Sequence, residues 1–566
     1  MDIKTLKISR PLLIGIYGYL CLPMILFLMG WCRWYISVPS IFIICISLWL
    51  CIKEHSPSIE QSTAALHQKP SMNLPNGFTV RNNSAKCFAI LLIIMYWTAL
   101  SGIGGYVWQN DDHECRNAIF NLLVENSWPV TDTISINGLL QKRGLVYYIG
   151  FWLPAAIIGK MFGINAGYAA QYIWAVLGIL LFYTLICVWR RKIVIWPLWI
   201  IIFFSGADAV GTLLNSEDIL QIFGSSHLER WAVHYQFSSM TTQLFWVFNQ
   251  AIPAWLASAM IFLAEKPKNL VFTWSLIMIT STLPFAGLLP FVLYFMVSRA
   301  KWGKNSSAMQ LFRNAWKNWG SFQNVLGGGI VGIISFLYLM GNVSAGNSAL
   351  LSRLLMYSNS EISGLRILAL VLMIVLLLGA LWGIITLFLR GKGPHVFKIT
   401  KFFVMVGIIL VEGFSLLNSY DSNTYIYKIF FLFTFYVIEA GIYLICLKNN
   451  VKERGLFWLT AAWLLVTPLI IIGTSQDFCM RASIPALLLI MLWCIEAMDT
   501  RKRSLMTWVL IGVFLIGSIT PLHEFKRTYV NSREEYVLKN VGTEEILFPG
   551  NFSGDVKGVF WEGIAR

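Results

Sequence analysis

Runs of roughly 20 mostly apolar residues recur along the whole chain, and they limit its fold more than any other feature. A helix of that length crosses the hydrocarbon core of a bilayer, where only helices and closed barrels satisfy the backbone polar groups. The sequence therefore predicts an all-α bundle of about 14 to 16 membrane-spanning helices. The predicted spans are residues 11–31, 38–52, 87–107, 145–162, 168–189, 193–204, 244–264, 270–283, 284–297, 325–340, 367–389, 402–417, 425–447, 457–474, 484–497 and 505–519.

Short loops rich in Lys and Arg separate many of these runs and predict the orientation of the protein. Loops of this kind stay in the cytoplasm, so the N-terminus is expected there and the long loops 109–144, 205–243 and 341–366 outside. The net charge of +15 then reflects membrane topology and contact with lipid headgroups, and it does not indicate nucleic-acid binding. The basic loops are residues 4–10, 190–192, 266–268, 299–304, 390–401, 448–454 and 501–503.

One pair of loops conflicts with this orientation. Residues 109–144 and 190–192 are predicted on opposite sides, which requires an odd number of crossings, yet two apolar runs lie between them. Either the run 145–162 lies partly in the membrane interface, or the loop 190–192 breaks the rule. Gly150, Pro154, Gly159 and Lys160 favour the first alternative.

Composition divides the chain into four predicted parts. Residues 1–86 form an N-terminal membrane hairpin and a polar cytoplasmic linker, and 87–304 form the module expected to carry the activity. Residues 305–522 form a second membrane module, and 523–566 an extracytoplasmic tail. The ten cysteines lack CxxC spacing and fall mostly inside apolar runs, which predicts helix packing without a metal or disulfide role.

The sequence Asp111-Asp112-His113-Glu114 directly follows an apolar run and is the main candidate for chemistry. Three carboxylates within four residues repel one another, so a metal ion, a cationic partner or a substrate hydroxyl is expected to offset them. The alternative explanation is that Asp111 or Asp112 caps the helix that follows, which accounts for one of the acids.

The stretch from Gly105 to Glu114, followed by Arg116 and an interfacial helix at 117–125, resembles the membrane glycosyltransferases of the GT-C class. In that class an acidic residue at the start of the first large outer loop is the catalytic base. Here the loop follows the third apolar run, so the resemblance implies that the first hairpin is an addition. It also implies a polyprenyl-phosphate sugar donor, a glycan or lipid acceptor in the cell envelope, and Asp111 or Asp112 as the base. Those two carboxylates are in addition the candidate ligands for a divalent cation such as Mg²⁺ or Mn²⁺.

Further polar residues are candidates for substrate binding. They are Glu114, Arg116, Glu229, Arg230, His234, Gln236, Asn249, Gln250 and Arg481. Asn249 and Gln250 lie within an apolar run, where hydrogen bonds between helices are an equal alternative. Arg481 at a helix start suits a phosphate, and an ion pair with Asp477 one turn earlier is again an equal alternative.

Two rival functions share this composition. A transporter or flippase of lipid-linked saccharides is suggested by Glu412, Lys428 and Glu439, which fall inside predicted spans. Matching halves with paired broken helices, which are typical of transporters, are missing from the sequence, and the long acidic outer loops favour an enzyme. A polysaccharide polymerase or ligase would differ mainly in its substrate. Nothing resembles a phosphate-binding Gly-rich loop, so a nucleotide-sugar donor is not expected.

Overall fold

A computed structural model describes residues 8–55, 83–215, 227–232, 235–300, 308–342, 432–470, 477–500, 504–533, 538 and 540–566. The predicted spans 367–389 and 402–417 lie outside these residues, as do His234, Glu412 and Lys428. The helices begin and end as follows: α1 (Arg10–Trp31), α2 (Trp34–His55), α3 (Ser84–Leu100), α4 (Asp112–Glu125), α5 (Leu153–Phe162), α6 (Ile164–Arg190), α7 (Trp196–Phe203), α8 (Asp208–Asn215), α9 (Met240–Leu263), α10 (Leu270–Ser275), α11 (Thr282–Ser298), α12 (Ala308–Trp319), α13 (Gly328–Leu339), α14 (Ile442–Leu447), α15 (Arg454–Val466), α16 (Asp477–Ala482), α17 (Ile484–Met498), α18 (Leu505–Gly517), α19 (Ile519–Asn531) and α20 (Thr543–Leu547).

The predicted all-α polytopic bundle is confirmed. Seven helices among the described residues are long and apolar enough to cross a membrane, or eight if the bent pair around Trp319 counts as one span. The run 270–283 differs from its prediction: α10 ends at Ser275, and residues 276–280 are turns and not a crossing helix. The run 505–519 also differs, because α18 is followed at once by α19 and the two form one long span.

The two ends of the bundle differ in character. At the end called here the loop end, Trp31 at the end of α1 packs on Trp128, with ring centroids 5.2 Å apart. At the opposite end, called the basic end, α2 finishes with His55, and Lys266 donates to the Glu54 carbonyl. Lys266 and Lys268 therefore lie beside Glu54 at the basic end.

The half-length helix α5 removes the conflict in the predicted crossings. Its ten residues extend only about 15 Å, half the thickness of a hydrocarbon core. Lys160 near its end donates to the carbonyl of Val124 at the loop end, at 3.2 Å. α5 therefore stays at the loop end, and α6 alone connects the loop 109–144 to Arg190.

A small antiparallel sheet covers the loop end. Strands β1 (Thr131–Ile136) and β2 (Leu139–Leu145) form a hairpin whose turn, Asn137-Gly138, has both φ angles positive, as a two-residue hairpin requires. Strand β3 (Ser553–Asp555) of the tail extends the sheet along β2. The last residue then donates its backbone N–H to the Trp31 carbonyl at 2.8 Å. The tail is thus fastened to both the hairpin and α1.

Helix α9 is broken at Val247, where φ is −139° and ψ is 36°. Trp255 Nε1 donates to Gln243 Oε1 at 2.7 Å. In a straight helix the Cα atoms of these residues, 12 positions apart, would lie about 18 Å from each other along the axis, too far for this contact. Trp97 contacts both halves, through Thr241 at 3.1 Å and through its ring against Trp255. Residues 240–246 therefore fold back alongside the rest of α9 as a re-entrant segment, which is possible at this depth because protein surrounds it.

Candidate active site

A glycine-rich turn carries the chain from α3 to α4 at the loop end. Gly102, Gly104 and Gly105 adopt positive φ angles of 75° to 85°, which side chains rarely tolerate. Gln109 closes the turn by donating its amide to the Gly102 carbonyl at 2.8 Å, and it accepts from Asn117 at 2.7 Å. The acidic motif is therefore held on a fixed turn at the start of an interfacial helix.

Asn110, and not an aspartate, caps α4. Its side-chain oxygen accepts from the backbone N–H of Asp112 at 3.1 Å, whereas the Asp111 side chain makes no capping hydrogen bond. The capping explanation of the acidic motif is therefore wrong for Asp111. Asn110 also donates to the Phe245 carbonyl at 2.9 Å, and His113 Nε2 lies 3.1 Å from the same oxygen.

The break in α9 explains this shared carbonyl. Val247 interrupts the helix, so the Phe245 carbonyl lacks its usual helical partner and accepts from two side chains of the acidic loop. Burial, with the charge of Arg116 added, lowers the pKa of His113 to about 3. The imidazole is therefore neutral and donates its N–H from Nε2 to the carbonyl.

Arg116 provides the positive charge that the acidic motif requires. It lies four residues after Asp112 on the same face of α4, and its Nη2 donates to Asp112 Oδ2 at 2.7 Å. Burial alone would raise the pKa of Asp112, but the charges of Arg116 and Arg481 outweigh it and hold that pKa below its ordinary value. Asp112 is therefore an ionised carboxylate near neutral pH, and its side chain is still 41% exposed.

Arg481 reaches the same site from α16, far away in the sequence. Its Nη1 donates to Tyr148 Oη at 2.9 Å, and its Nη2 pairs with Asp477 Oδ1 at 3.2 Å. Gly287 of α11 lets α16 approach, because a Cβ there would lie 2.1 Å from the Ala482 carbonyl oxygen. The expected ion pair with Asp477 is therefore present, and the charge of Arg481 also acts on Asp112 of the acidic loop.

An aromatic wall and unpaired donors complete the site. The ring of Phe248, directly after the break in α9, lies 5.7 Å from Arg116 Cζ and 5.5 Å from the His113 ring. Arg116 Nη1 and Arg481 Nε are buried and have no hydrogen-bond partner among the described residues. Two guanidinium groups with donors to spare beside an ionised carboxylate form a site suited to an anionic ligand with a hydroxyl-bearing neighbour.

The remaining predicted residues of the loop and of α9 are arranged around this centre. Asp111 is exposed just before α4, and Glu114 projects from a different side of the helix than Asp112 and Arg116. Neither polar atom of the Asn249 side chain has a partner among the described residues, and Oε1 of Gln250 also lacks one. Interhelical hydrogen bonding, the alternative for these amides, is therefore not seen for Asn249.

The second outer loop passes close to the site without touching Asp112. Cys479 Sγ lies 3.4 Å from the Gln236 carbonyl, two residues before Arg481. The Gln236 amide donates to buried Glu229 at 2.8 Å, whereas Arg230 is exposed and makes no ion pair with a described residue. Burial above all raises the pKa of Glu229, against the opposing charge of nearby His227.

Several residues of the site were not expected from the sequence. Tyr148, Glu524 and Arg527 all contact predicted site residues or their neighbours, and Arg527 stacks between the rings of Trp108 and Trp246 at about 5.5 Å. The prediction ended the last span at residue 519 and placed Glu524 and Arg527 in a tail. The helical run of α18 into α19, uninterrupted except by Pro521 in the first turn of α19, was the signal that could have found them.

No group of three His, Cys, Asp or Glu side chains that could hold a metal ion occurs in the part of the chain that the structure describes. Asp112 is already paired with Arg116, so we assign no step to a divalent cation.

Comparison with models of known families, with curated proteins and with solved structures found no match. The fold thus defines a multi-pass membrane protein, and its activity is argued from the site alone.

Proposed function

We propose that the protein is an inverting membrane glycosyltransferase that moves a sugar from a polyprenyl-phosphate donor to an extracytoplasmic acceptor. The acceptor is a cell-surface glycan, a glycolipid or a wall polymer. The observation that carries the proposal is the ion pair of Arg116 with the half-exposed carboxylate of Asp112, on which the charge of Arg481 from the distant α16 also acts. The resemblance of the acidic loop to the GT-C class supports the same reading.

The carboxylates provide the base. Asp112 is ionised, partly exposed and beside two arginines, and Asp111 stands next to it in the exposed turn. Transfer with inversion needs a carboxylate to accept the proton of the acceptor hydroxyl as that oxygen attacks the sugar carbon. The bond between that carbon and the phosphate oxygen breaks in the same step, and the phosphate leaves with its electron pair.

The arginines stabilise the leaving phosphate. Arg116 Nη1 and Arg481 Nε are buried donors without partners among the described residues, and both guanidinium groups suit bidentate contacts to phosphate oxygens. Tyr148, which accepts from Arg481, fixes one orientation of that side chain. Positive charge placed where negative charge develops is usually a large contribution to such a reaction.

The proposal fixes the orientation of the bundle. The loop end, with Asp112 and the tail, faces the extracytoplasmic side, and the basic end with the N-terminus faces the cytoplasm. The lipid-linked donor then enters from the outer leaflet beside α4, whose start lies at the membrane interface. Asn249, buried one residue after Phe248 and without a partner among the described residues, is the candidate to hold sugar hydroxyls.

Asparagine substitutions test the base. Asp112→Asn keeps the shape of the side chain and removes its basicity, so transfer from a polyprenyl-phosphate sugar in proteoliposomes should fall by about 10²-fold or more. Asp132→Asn is the matched control, because Asp132 is exposed in the same outer loop and accepts from the neighbouring Thr133 N–H. Normal turnover in both Asp111→Asn and Asp112→Asn would exclude a carboxylate base in this loop.

A flippase or transporter is the second candidate, and one observation favours it. Asp208 and Glu439 are both buried beside one another, with Ser205 and Thr520 donating to Asp208 and Trp231 donating to Glu439. Acids at this depth are typical of proton or ion pathways. Movement of a labelled lipid-linked saccharide between leaflets without covalent transfer, lost in Glu439→Gln but kept in Asp112→Asn, would establish transport in place of transfer.

A further inference from the structure

A buried histidine joins two glutamates in the outer half of the bundle. His227 Nδ1 lies 2.9 Å from Glu524 Oε1 of α19, and its Nε2 lies 3.7 Å from Glu229 Oε2. All three side chains are less than a tenth exposed. None of them takes part in the proposed chemistry, so this arrangement needs a separate explanation.

Each glutamate holds one end of the re-entrant segment 240–246. At its start, Glu229 Oε1 accepts from the backbone N–H of Ser239 at 2.8 Å. At its finish, Glu524 Oε2 accepts from the indole N–H of Trp246 at 3.1 Å. His227 connects the two carboxylates, so a single side chain links both ends of a segment that the break at Val247 separates from the rest of α9.

The segment in turn supports the acidic loop. Its Phe245 carbonyl accepts from Asn110, the cap of α4, and from His113, next to Asp112. We propose that His227, Glu229 and Glu524 form a clamp that holds the re-entrant segment and thereby positions the turn carrying Asp112. The clamp is inferred from these contacts alone, and only its effect on turnover rests on the proposed function.

Charge balance sets the strength of the clamp. Arg527 Nη1 donates to Glu524 at 2.9 Å, and the buried acids Asp208 and Glu439 lie beyond Glu229. With His227 protonated, its positive charge and that of Arg527 offset the negative charge of Glu524 and that of Glu229 as it ionises. Loss of the imidazolium proton leaves an excess of negative charge in a buried site, which weakens the link.

The direction of the pH effect follows from two groups. Burial would lower the pKa of His227, but Glu524 and then Glu229 raise it above its ordinary value of 6.5. The stabilisation from His227 is therefore complete below pH 6.5 and is lost as the pH rises through the raised value. The raised pKa of Glu229 also lowers the stability of the folded state as the pH rises, because the folded protein keeps that proton to a higher pH than the unfolded chain does. The clamp should therefore loosen on the alkaline side of neutrality.

Hydrogen exchange tests the clamp without any substrate. The full-length protein in lipid nanodiscs is compared at pH 6 and pH 8.5, after correction for intrinsic exchange, and peptides covering 239–247 are followed by mass spectrometry. We expect protection of this segment to fall about tenfold or more at the higher pH. In His227→Gln, which cannot become charged, protection should be low at both pH values.

Two further variants make the result decisive. Glu229→Gln stays neutral and can still accept from the Ser239 N–H, so it should reduce the pH dependence while keeping the segment protected. Asp555→Asn is the matched control, since it breaks the Arg143–Asp555 ion pair in the sheet, which involves none of the three clamp residues. Unchanged exchange of 239–247 in His227→Gln, or equal loosening in Asp555→Asn, would overturn the clamp. Absence of glycosyl transfer in the wild type would refute the proposed function and leave the exchange result standing.

Discussion

Replacing Arg481 separates its two possible roles, phosphate ligand and structural ion-pair partner. Its side chain is 11% exposed, and it is shared between Tyr148 and Asp477. In the proposed complex a donor phosphate takes up the unpaired Nε and competes with Asp477 for Nη2. Arg481→Ala removes these donors. Arg481→Lys keeps the positive charge but loses the bidentate guanidinium group. Asp477→Asn removes the carboxylate that competes with the phosphate for Nη2.

The expected changes in affinity for the donor differ in size and in direction among the three variants. A hydrogen bond to a charged group contributes about 1.5 to 3 kcal/mol, so loss of the fork should weaken donor binding by about 3 kcal/mol, or about 150-fold. Lysine should retain part of this and lose about tenfold. The Asp477 pair is partly exposed and is worth at most about 1 kcal/mol, so Asp477→Asn should tighten binding by up to about fivefold.

The assay is direct binding of a short-chain polyprenyl phosphate to the purified protein in detergent, with thermal unfolding measured in parallel. Unfolding should occur at a slightly lower temperature in Arg481→Ala, because the half-buried Tyr148 hydroxyl loses one of its two donors and keeps only that of Tyr147. Equal weakening of binding by Arg481→Ala and Asp477→Asn would mean that the ion pair only holds α16 in place. The phosphate role would then be rejected.

Two packing predictions concern the surroundings of the site. Trp561→Ala should destabilise the protein by about 3 kcal/mol because Trp561 is buried, whereas Val559→Ala, at an exposed position, should leave the thermal unfolding midpoint unchanged. Gly287→Ala should displace α16 and weaken polyprenyl-phosphate binding about tenfold, since the new Cβ would lie 2.1 Å from a backbone carbonyl. Gly329→Ala, which meets nothing within 4 Å, is its control, and equal binding in the two variants would show that α16 tolerates the shift.

The sequence was sufficient for the membrane class, because it depends on local composition. Apolar runs of the right length specify helices wherever lipid is the solvent, so α1, α2 and α6 follow their predicted spans closely. The half-length of α5 was also suggested, since its Gly and Pro content and Lys160 suit an interfacial position.

The broken helix α9 was not foreseen, and its cause is not local. The run 244–264 reads as one span, because Val247 is an ordinary residue for a helix. Groups far away in the chain stabilise the break: Asn110 and His113 donate to the Phe245 carbonyl, and Glu524 accepts from Trp246. Contacts between residues far apart in the chain leave no periodic signal, so the second half of the site could not be derived from the pattern.

The break in α9 joins the two proposals made for this protein. A straight helix would use the Phe245 carbonyl internally and leave Asn110 and His113 without an acceptor in a buried setting. Breaking it gives those side chains a partner, and the same break places Phe248 against Arg116. The free energy lost from interrupted helical hydrogen bonds is offset by the side-chain bonds at the two ends of the re-entrant segment. Any variant that weakens the clamp should therefore disturb Asp112 and Arg116 together, since the acidic loop and its aromatic wall depend on one break.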